Sequence, residues 1–314
     1  MNDFNMKMER IGVGTLYLIL NLLSIFVNIL SITTFFYKKK YFSKIPFYKF
    51  YYHLSFANSC INFTQLSVVI PFTYSNNLED YENSILYRIF CEFDTFGYNL
   101  SVMLLLSLSL DRFLVFAFPK TFFSDKISRI NKFILISWLI SIIITIGHKF
   151  DSVYKLYNGI EYALYYKINN LNNINISLII SDIISKATPI IILLSYIFCF
   201  IRLKYSCNIQ KSGSRNKWKY EKQILLQGLT ISLFYELESI LFLERSLIIT
   251  FFNLKNVKIF NIIVNCVVVL YTCYISASLF FFNNVARQHF LNILKNLKVI
   301  NSSRIIHPIN TVQF

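Results

Sequence analysis

Charge is what this sequence has least of. Of its 314 residues only 15% are Asp, Glu, Lys or Arg, where a water-soluble domain carries about 25%. With 55% hydrophobic residues beside it, that deficit excludes a disordered chain and argues against a soluble enzyme. Glycine (7) and proline (5) are scarce too, and no Gly-rich loop is present to cradle a phosphate. The four histidines, His53, His148, His289 and His307, stand far apart. None has a Cys, His, Asp or Glu at metal-ligand spacing. We therefore expect no catalytic residues, no metal and no cofactor. Internal repeats are missing as well, which weakens an inverted-repeat transporter.

What is present is a set of apolar runs. Seven can be read, at roughly 11–36, 48–72, 92–118, 131–147, 175–201, 223–250 and 257–282. Most exceed the ~20 residues that cross a hydrocarbon core as a helix. Lipid offers no partner for unpaired backbone groups, so each must be helical. The first run is too long for a signal peptide and is followed by Lys38-Lys39-Lys40, not by a cleavage site. The expectation is an all-α membrane protein, a seven-transmembrane helix bundle. Its predicted division is a short extracellular N-terminus (1–10), a membrane domain (11–283) and a cytosolic tail (284–314). In the tail, 284–298 reads as an amphipathic helix, with Phe290, Ile293, Leu294 and Leu297 at helical spacing.

The formal charge of +15 raises the question of nucleic acid, and the distribution of the charges answers it. The segments after spans 1, 3 and 5 and the tail, counted with the charges in the adjoining span ends, hold twenty-one Lys and Arg; the alternate segments, counted likewise, hold nine. Only Asp111, Asp125 and Glu221 fall on the basic side, against Glu79, Asp80, Glu82, Asp151 and Glu161 opposite. By the positive-inside rule the N-terminus is outside and the C-terminus cytosolic. Basic residues split among short loops make no nucleic-acid surface. The partner they imply is the lipid bilayer.

The cytosolic end of span 3 reads Leu108-Ser109-Leu110-Asp111-Arg112-Phe113-Leu114-Val115-Phe116-Ala117-Phe118-Pro119. This resembles the Asp-Arg-Tyr region of rhodopsin-like G-protein-coupled receptors. Other landmarks follow in order: Asn28 in span 1, Leu54-Ser55-Phe56-Ala57-Asn58 in span 2, Trp138 in span 4 and Pro189 in span 5. Ser276-Ala277-Ser278-Leu279-Phe280, then Asn283 and Phe290, are similar to the end of span 7 and the start of a helix 8. The chain departs from the family at Asn58, which replaces an acid, and in span 7, which lacks the Asn, Pro and Tyr. Span 6 lacks the Trp-x-Pro, and no proline occurs between Pro189 and Pro308. The short loops and eroded motifs resemble the nematode serpentine chemoreceptors, class x being the class to compare first.

The resemblance implies a plasma-membrane receptor that binds a small extracellular ligand and signals to a heterotrimeric G protein. It implies that Asp111 and Arg112 serve coupling, with Glu221 at the base of span 6 as a second partner for Arg112. The loop 204–222 would line the G-protein crevice. Asp94 lies about five turns before Arg112, where amine receptors of this family hold a ligand ammonium. Ser181 and Ser185 resemble ligand-facing serines of the same group. Against this, Asp94 reads equally as part of an acidic rim with Glu92, and Arg112 as a snorkelling arginine that sets topology.

Asp182 and Lys186 are four apart and can pair on one helix face. Glu236 and Glu238 are costly in mid-span; two residues apart, they point about 200° from each other. At least one should face protein, and both keep a transporter or channel reading open, as the eroded motifs keep open a receptor-like protein that no longer signals. Asn28, Asn58, Trp138 and Pro189 are expected in helix packing. Cys91 stands near the family's outer span-3 cysteine, but the loop 148–174 has no cysteine to pair with it, so no disulfide is expected. Asn175-Ile176-Ser177 is the sequon at the outer face, close to the span-5 boundary.

Overall fold

The computed structural model describes residues 3–37, 39–43, 45–75, 79–118, 126–168, 175–209, 215–252 and 256–292. The chain forms α1 (Asp3–Tyr37), a one-turn α2 (Lys39–Phe42), α3 (Pro46–Thr64), a π-helical turn (Gln65–Val69), α4 (Ile70–Tyr74), α5 (Glu79–Glu82) and α6 (Ile85–Ala117). It continues with α7 (Lys126–Phe150), strands β1 (Val153–Asn158) and β2 (Ala163–Ile168), α8 (Ile176–Ile209) and α9 (Arg215–Leu243). The last elements are α10 (Arg245–Phe251), α11 (Val257–Phe282) and α12 over 284–292. The rest of the predicted tail helix, together with Pro119, Asp125 and residues 210–214, lies outside the described residues.

Among the described residues six helices are long and apolar enough to cross a membrane: α1, α6, α7, α8, α9 and α11. They have lengths and faces suited to lipid. On α7, Leu135, Leu139, Ile142, Ile143 and Ile146 are exposed, while Ser137 and Ser141 are buried. Ser137 Oγ donates to the Met103 carbonyl at 3.1 Å and pairs with Ser107 Oγ at 2.9 Å. A helix that hides its hydroxyls and shows its isoleucines is inverted for water and right for hydrocarbon.

The second predicted run, 48–72, is helical but not one long helix. Pro71 has no N–H, and its ring collides with the carbonyl four residues back. The chain relaxes by a π turn, with Ile70 N–H donating to the Gln65 carbonyl. The Ser67 carbonyl accepts from Tyr81 Oη instead, at 3.1 Å. Lys49, His53, Asn58 and Asn62 further dilute this segment's hydropathy.

The structure also departs from an all-helical chain. Residues 153–168 form an antiparallel hairpin with Asn158 opposite Ala163 and Lys155 opposite Tyr166. Asn158 Oδ1 accepts from the N–H groups of Ile160 and Glu161 (2.9 and 3.2 Å) and so shapes the turn. The hairpin is tied to the bundle by tyrosines. Tyr157 N–H donates to Tyr87 Oη at 2.9 Å, and the Tyr157 hydroxyl pairs with Thr73 Oγ1 at 2.7 Å.

Helix α6 runs through the middle, packed on α3, α7, α8, α9 and β1, while α11 packs on α1, α3 and α9. Gly97 permits the α6–α3 contact: a Cβ there would sit 2.7 Å from the Ala57 carbonyl. Gly228 does the same for α8 and α9, since its Cβ would run into the Tyr196 hydroxyl. The bundle interior is joined by polar side chains. Asn28 Nδ2 donates to Ser59 Oγ (2.8 Å) and to the Ser55 carbonyl (3.0 Å), and its Oδ1 accepts from Ser276 Oγ (2.8 Å). Asn58 Nδ2 reaches the Thr272 carbonyl at 3.4 Å. Trp138 Nε1 donates to His53 Nδ1 at 3.3 Å. Pro189 stands inside α8. Asn283, which follows α11, accepts at Oδ1 from Val285 and Ala286 N–H (2.8 and 3.0 Å) and so caps α12.

Candidate functional site

Two clusters of buried charge lie on the same pair of helices, α6 and α9. The first is at the hairpin end. In β1, alternate side chains turn inward: Val153, Lys155 and Tyr157 are buried, and Tyr154 and Leu156 are less so. Strand period thus carries Lys155 into the bundle, where its Nζ forms an ion pair with Asp94 of α6. The ammonium also lies 5.4 Å from the Tyr166 ring centre and 5.7 Å from that of Phe242. Burial alone would lower the Lys155 proton affinity, but the Asp94 carboxylate beside it holds it above lysine's ordinary value.

A cavity of about 480 Å³ adjoins this pair, within the range of small-molecule sites. Asp94, Lys155 and Glu238 line it, with Ser181, Asp182 and Ser185 from α8 and Tyr98 and Phe242 contributing ring surface. Ser181 Oγ donates to Asn99 Oδ1 at 3.4 Å. At the back, Gln65 and Asn265 exchange amide hydrogen bonds of 2.9 and 3.2 Å. Asp182 and Lys186 pair at 3.0 Å, both side chains about half exposed (47% and 51%). At the mouth Arg245 pairs with Glu161 at 3.5 Å. Glu238 differs from all of these. It is 3% exposed, and its Oε2 has no hydrogen-bond partner.

The second cluster is at the opposite end of α6. Arg112 is 6% exposed; its Nη2 lies 3.3 Å from Asp111 Oδ2 and its Nη1 3.8 Å from Glu221 Oε2 of α9. Asp111 also accepts from Arg129 of α7 at Oδ1, through Nε at 3.1 Å and Nη2 at 2.8 Å. The three residues expected to act together, Asp111, Arg112 and Glu221, are therefore one contiguous network, with Arg129 added.

The structure brings Asp94, Ser181, Asp182, Ser185 and Glu238 to one cavity, while Lys186 lines a separate shallow pocket with Pro189 and Glu236. Of the two span-6 acids Glu238 is the buried one and Glu236 only partly so, as their angular separation requires. The reading of Asp94 as a ligand's anchor meets a fact invisible in the sequence: it already holds an ammonium from its own chain. Lys155 was missed because no hairpin was anticipated. The signal was there, since Asn158-Gly159 sits between two runs rich in Val, Tyr, Leu and Ile.

Asn175 immediately precedes α8, and its Oδ1 is buried without a partner, a cramped place for a glycan. Cys91 is a buried free thiol. Among the described residues no group of three His, Cys, Asp or Glu could hold a metal ion. A further cavity, about 610 Å³, lies among α1, α3 and α7 around Phe35, His53 and Trp138. It carries Lys39 and Lys49 but no carboxylate, and exposed Phe36 and Leu135 put it on the outer face of the bundle. No known family model matches the chain, and no curated protein is similar enough to show kinship.

Proposed function

We propose that the chain is a seven-helix plasma-membrane receptor, N-terminus outside, that binds a small extracellular ligand and signals to a heterotrimeric G protein. The seven helices are α1, the segment 46–74, α6, α7, α8, α9 and α11, with α12 lying in the cytosolic interface as helix 8. One observation carries the reading: α6 and α9 both contribute residues to both charged clusters. Asp94 and Arg112 are on α6, Glu238 and Glu221 on α9. The clusters are separated by about 27 Å along α6 at ~1.5 Å per residue. A ligand in the cavity that favours one α6–α9 arrangement therefore bears directly on the Arg112–Glu221 contact at the far end. When that contact opens, Arg112 is freed to face the G protein. On this reading the protein is not an enzyme.

The experiment is expression in a reporter cell challenged with volatile, amine and peptide panels, beside Arg112→Ala. Loss of the response with surface expression kept is the expected result. An unchanged response in Arg112→Ala would remove Arg112 from the mechanism. The unpartnered Glu238 favours one rival, a transporter or channel that carries cations or protons. Ligand-evoked current without G protein would establish that rival, and binding with neither response would mark a receptor-like protein that does not signal.

A further inference from the structure

The cavity at the hairpin end has a charge inventory that can be closed residue by residue. Asp94 is matched by Lys155, Asp182 by Lys186 and Arg245 by Glu161. Glu238 is the carboxylate left over. Its residue is 97% buried, it lines the cavity, and Oε2 has no hydrogen-bond partner. The charged form of a carboxyl so placed is costly, and a cation in the cavity would offset that cost.

The rings around it point to the kind of partner. Phe242, one turn on from Glu238 along α9, and Tyr98 of α6 both line the cavity, their ring centres 6.5 Å apart. Tyr98 is in turn 6.3 Å from Tyr235. Carboxylate and aromatic faces together suit an organic cation, attracted by both. A free anion would meet Asp94 and Glu238, with Lys155 already engaged. A neutral molecule would offer the Glu238 carboxyl no counter-charge.

We propose that this cavity takes a small organic ammonium ligand, its cation on the Glu238 carboxylate and its apolar body against Tyr98 and Phe242. Asp94 is not the anchor, because Lys155 occupies it. This rests on the cavity being the ligand site of the proposed receptor.

The test is direct binding to the full-length protein in nanodiscs, with no G protein present. The probes are phenethylamine, its neutral counterpart phenethyl alcohol and its acidic counterpart hydrocinnamate. Wild type should prefer the amine, and Glu238→Gln should weaken amine binding by about ten- to a hundredfold, as expected for a hydrogen bond to a charged group. Glu238→Asp should retain the preference for amine over alcohol, which a merely structural role of Glu238 would not produce. The charge-neutral double variant Asp94→Asn/Lys155→Met should still bind the amine.

Preference for the alcohol or the acid, or binding of none of the three, overturns the proposal. So does amine binding that survives Glu238→Gln but fails in the double variant. Amine binding without any G-protein response would sink the receptor reading and leave this one standing. Signalling by ligands indifferent to Glu238 would do the reverse.

Discussion

At the arginine end two carboxylates, Asp111 and Glu221, face two guanidiniums, Arg112 and Arg129. At the hairpin end two carboxylates, Asp94 and Glu238, share a cavity with one buried ammonium, Lys155. The first set is balanced in charge and joins three helices, with Asp111 as the common counter-ion. The second is short of one cation and stands beside about 480 Å³ of open space. Burying charge is costly in either place, and what differs is who supplies the counter-charge. A set that closes on itself holds helices together. On the proposal above, the set left open takes a molecule from outside, and its incompleteness is the source of its selectivity.

The largest expected effect tests that contrast through stability. Asp111→Ala would take away the carboxylate that Arg112 and Arg129 share as counter-ion. Removing one member of a buried ionic network destabilises by about 3–5 kcal/mol, so a large fall in the unfolding temperature of the nanodisc-embedded protein should follow. Glu238→Gln, at the other end, replaces a buried carboxyl whose Oε2 has no hydrogen-bond partner. Its unfolding temperature should stay level or rise. If Glu238→Gln destabilises as strongly as Asp111→Ala, the hairpin end is as closed as the arginine end, and the contrast fails.

Next in size is the Asp94–Lys155 pair, which separates the hairpin's contribution from the cavity's. Lys155→Met alone leaves Asp94 as an unpaired acid, and we expect a loss of about 1–3 kcal/mol. Adding Asp94→Asn should recover most of that loss, since both charges then disappear together. The double-mutant cycle reads the coupling directly. No recovery would mean that Lys155 serves the hairpin through its aliphatic stem and the Tyr166 and Phe242 rings, not through Asp94.

How much of this could be read beforehand depended on whether partners are near in sequence or only in space. Long apolar runs announced helices because lipid forces backbone groups to pair locally. Asp182 and Lys186 were legible as an i,i+4 pair, and Asp111 with Arg112 through a motif confined to neighbouring residues. Arg129 was not, because only the packing of α7 on α6 sets it beside Asp111. Lys155 required a strand register: shifted by one residue it would face away from the cavity. The break in segment 46–74 was foreshadowed by Pro71, yet a run of apolar residues around it reads as unbroken hydropathy. Glu238 is legible in the sequence as a mid-span acid, but nothing in the sequence distinguishes a paired carboxylate from an orphan.

The smallest effect expected lies where the hairpin joins α8, and it asks whether this end is held by caps as well as by Lys155. Asp151, just after α7, accepts at Oδ2 from the backbone N–H of Ser177 at 2.7 Å, covering an open donor in the first turn of α8. The Ser177 side chain and N–H hold the Asp151 carboxyl below its ordinary value of 3.8. A carboxyl depressed by folding adds stability that is fully present above the unfolded value and disappears as pH falls through the folded one. Unfolding temperature should therefore drop as pH falls below about 4. In Asp151→Asn that part of the acid sensitivity should vanish, with only a slight loss near neutrality because an amide oxygen still accepts. An acid profile identical in the two proteins would show that Asp151 contributes nothing to α8 and that the hairpin end is held by Lys155 and the tyrosine contacts alone.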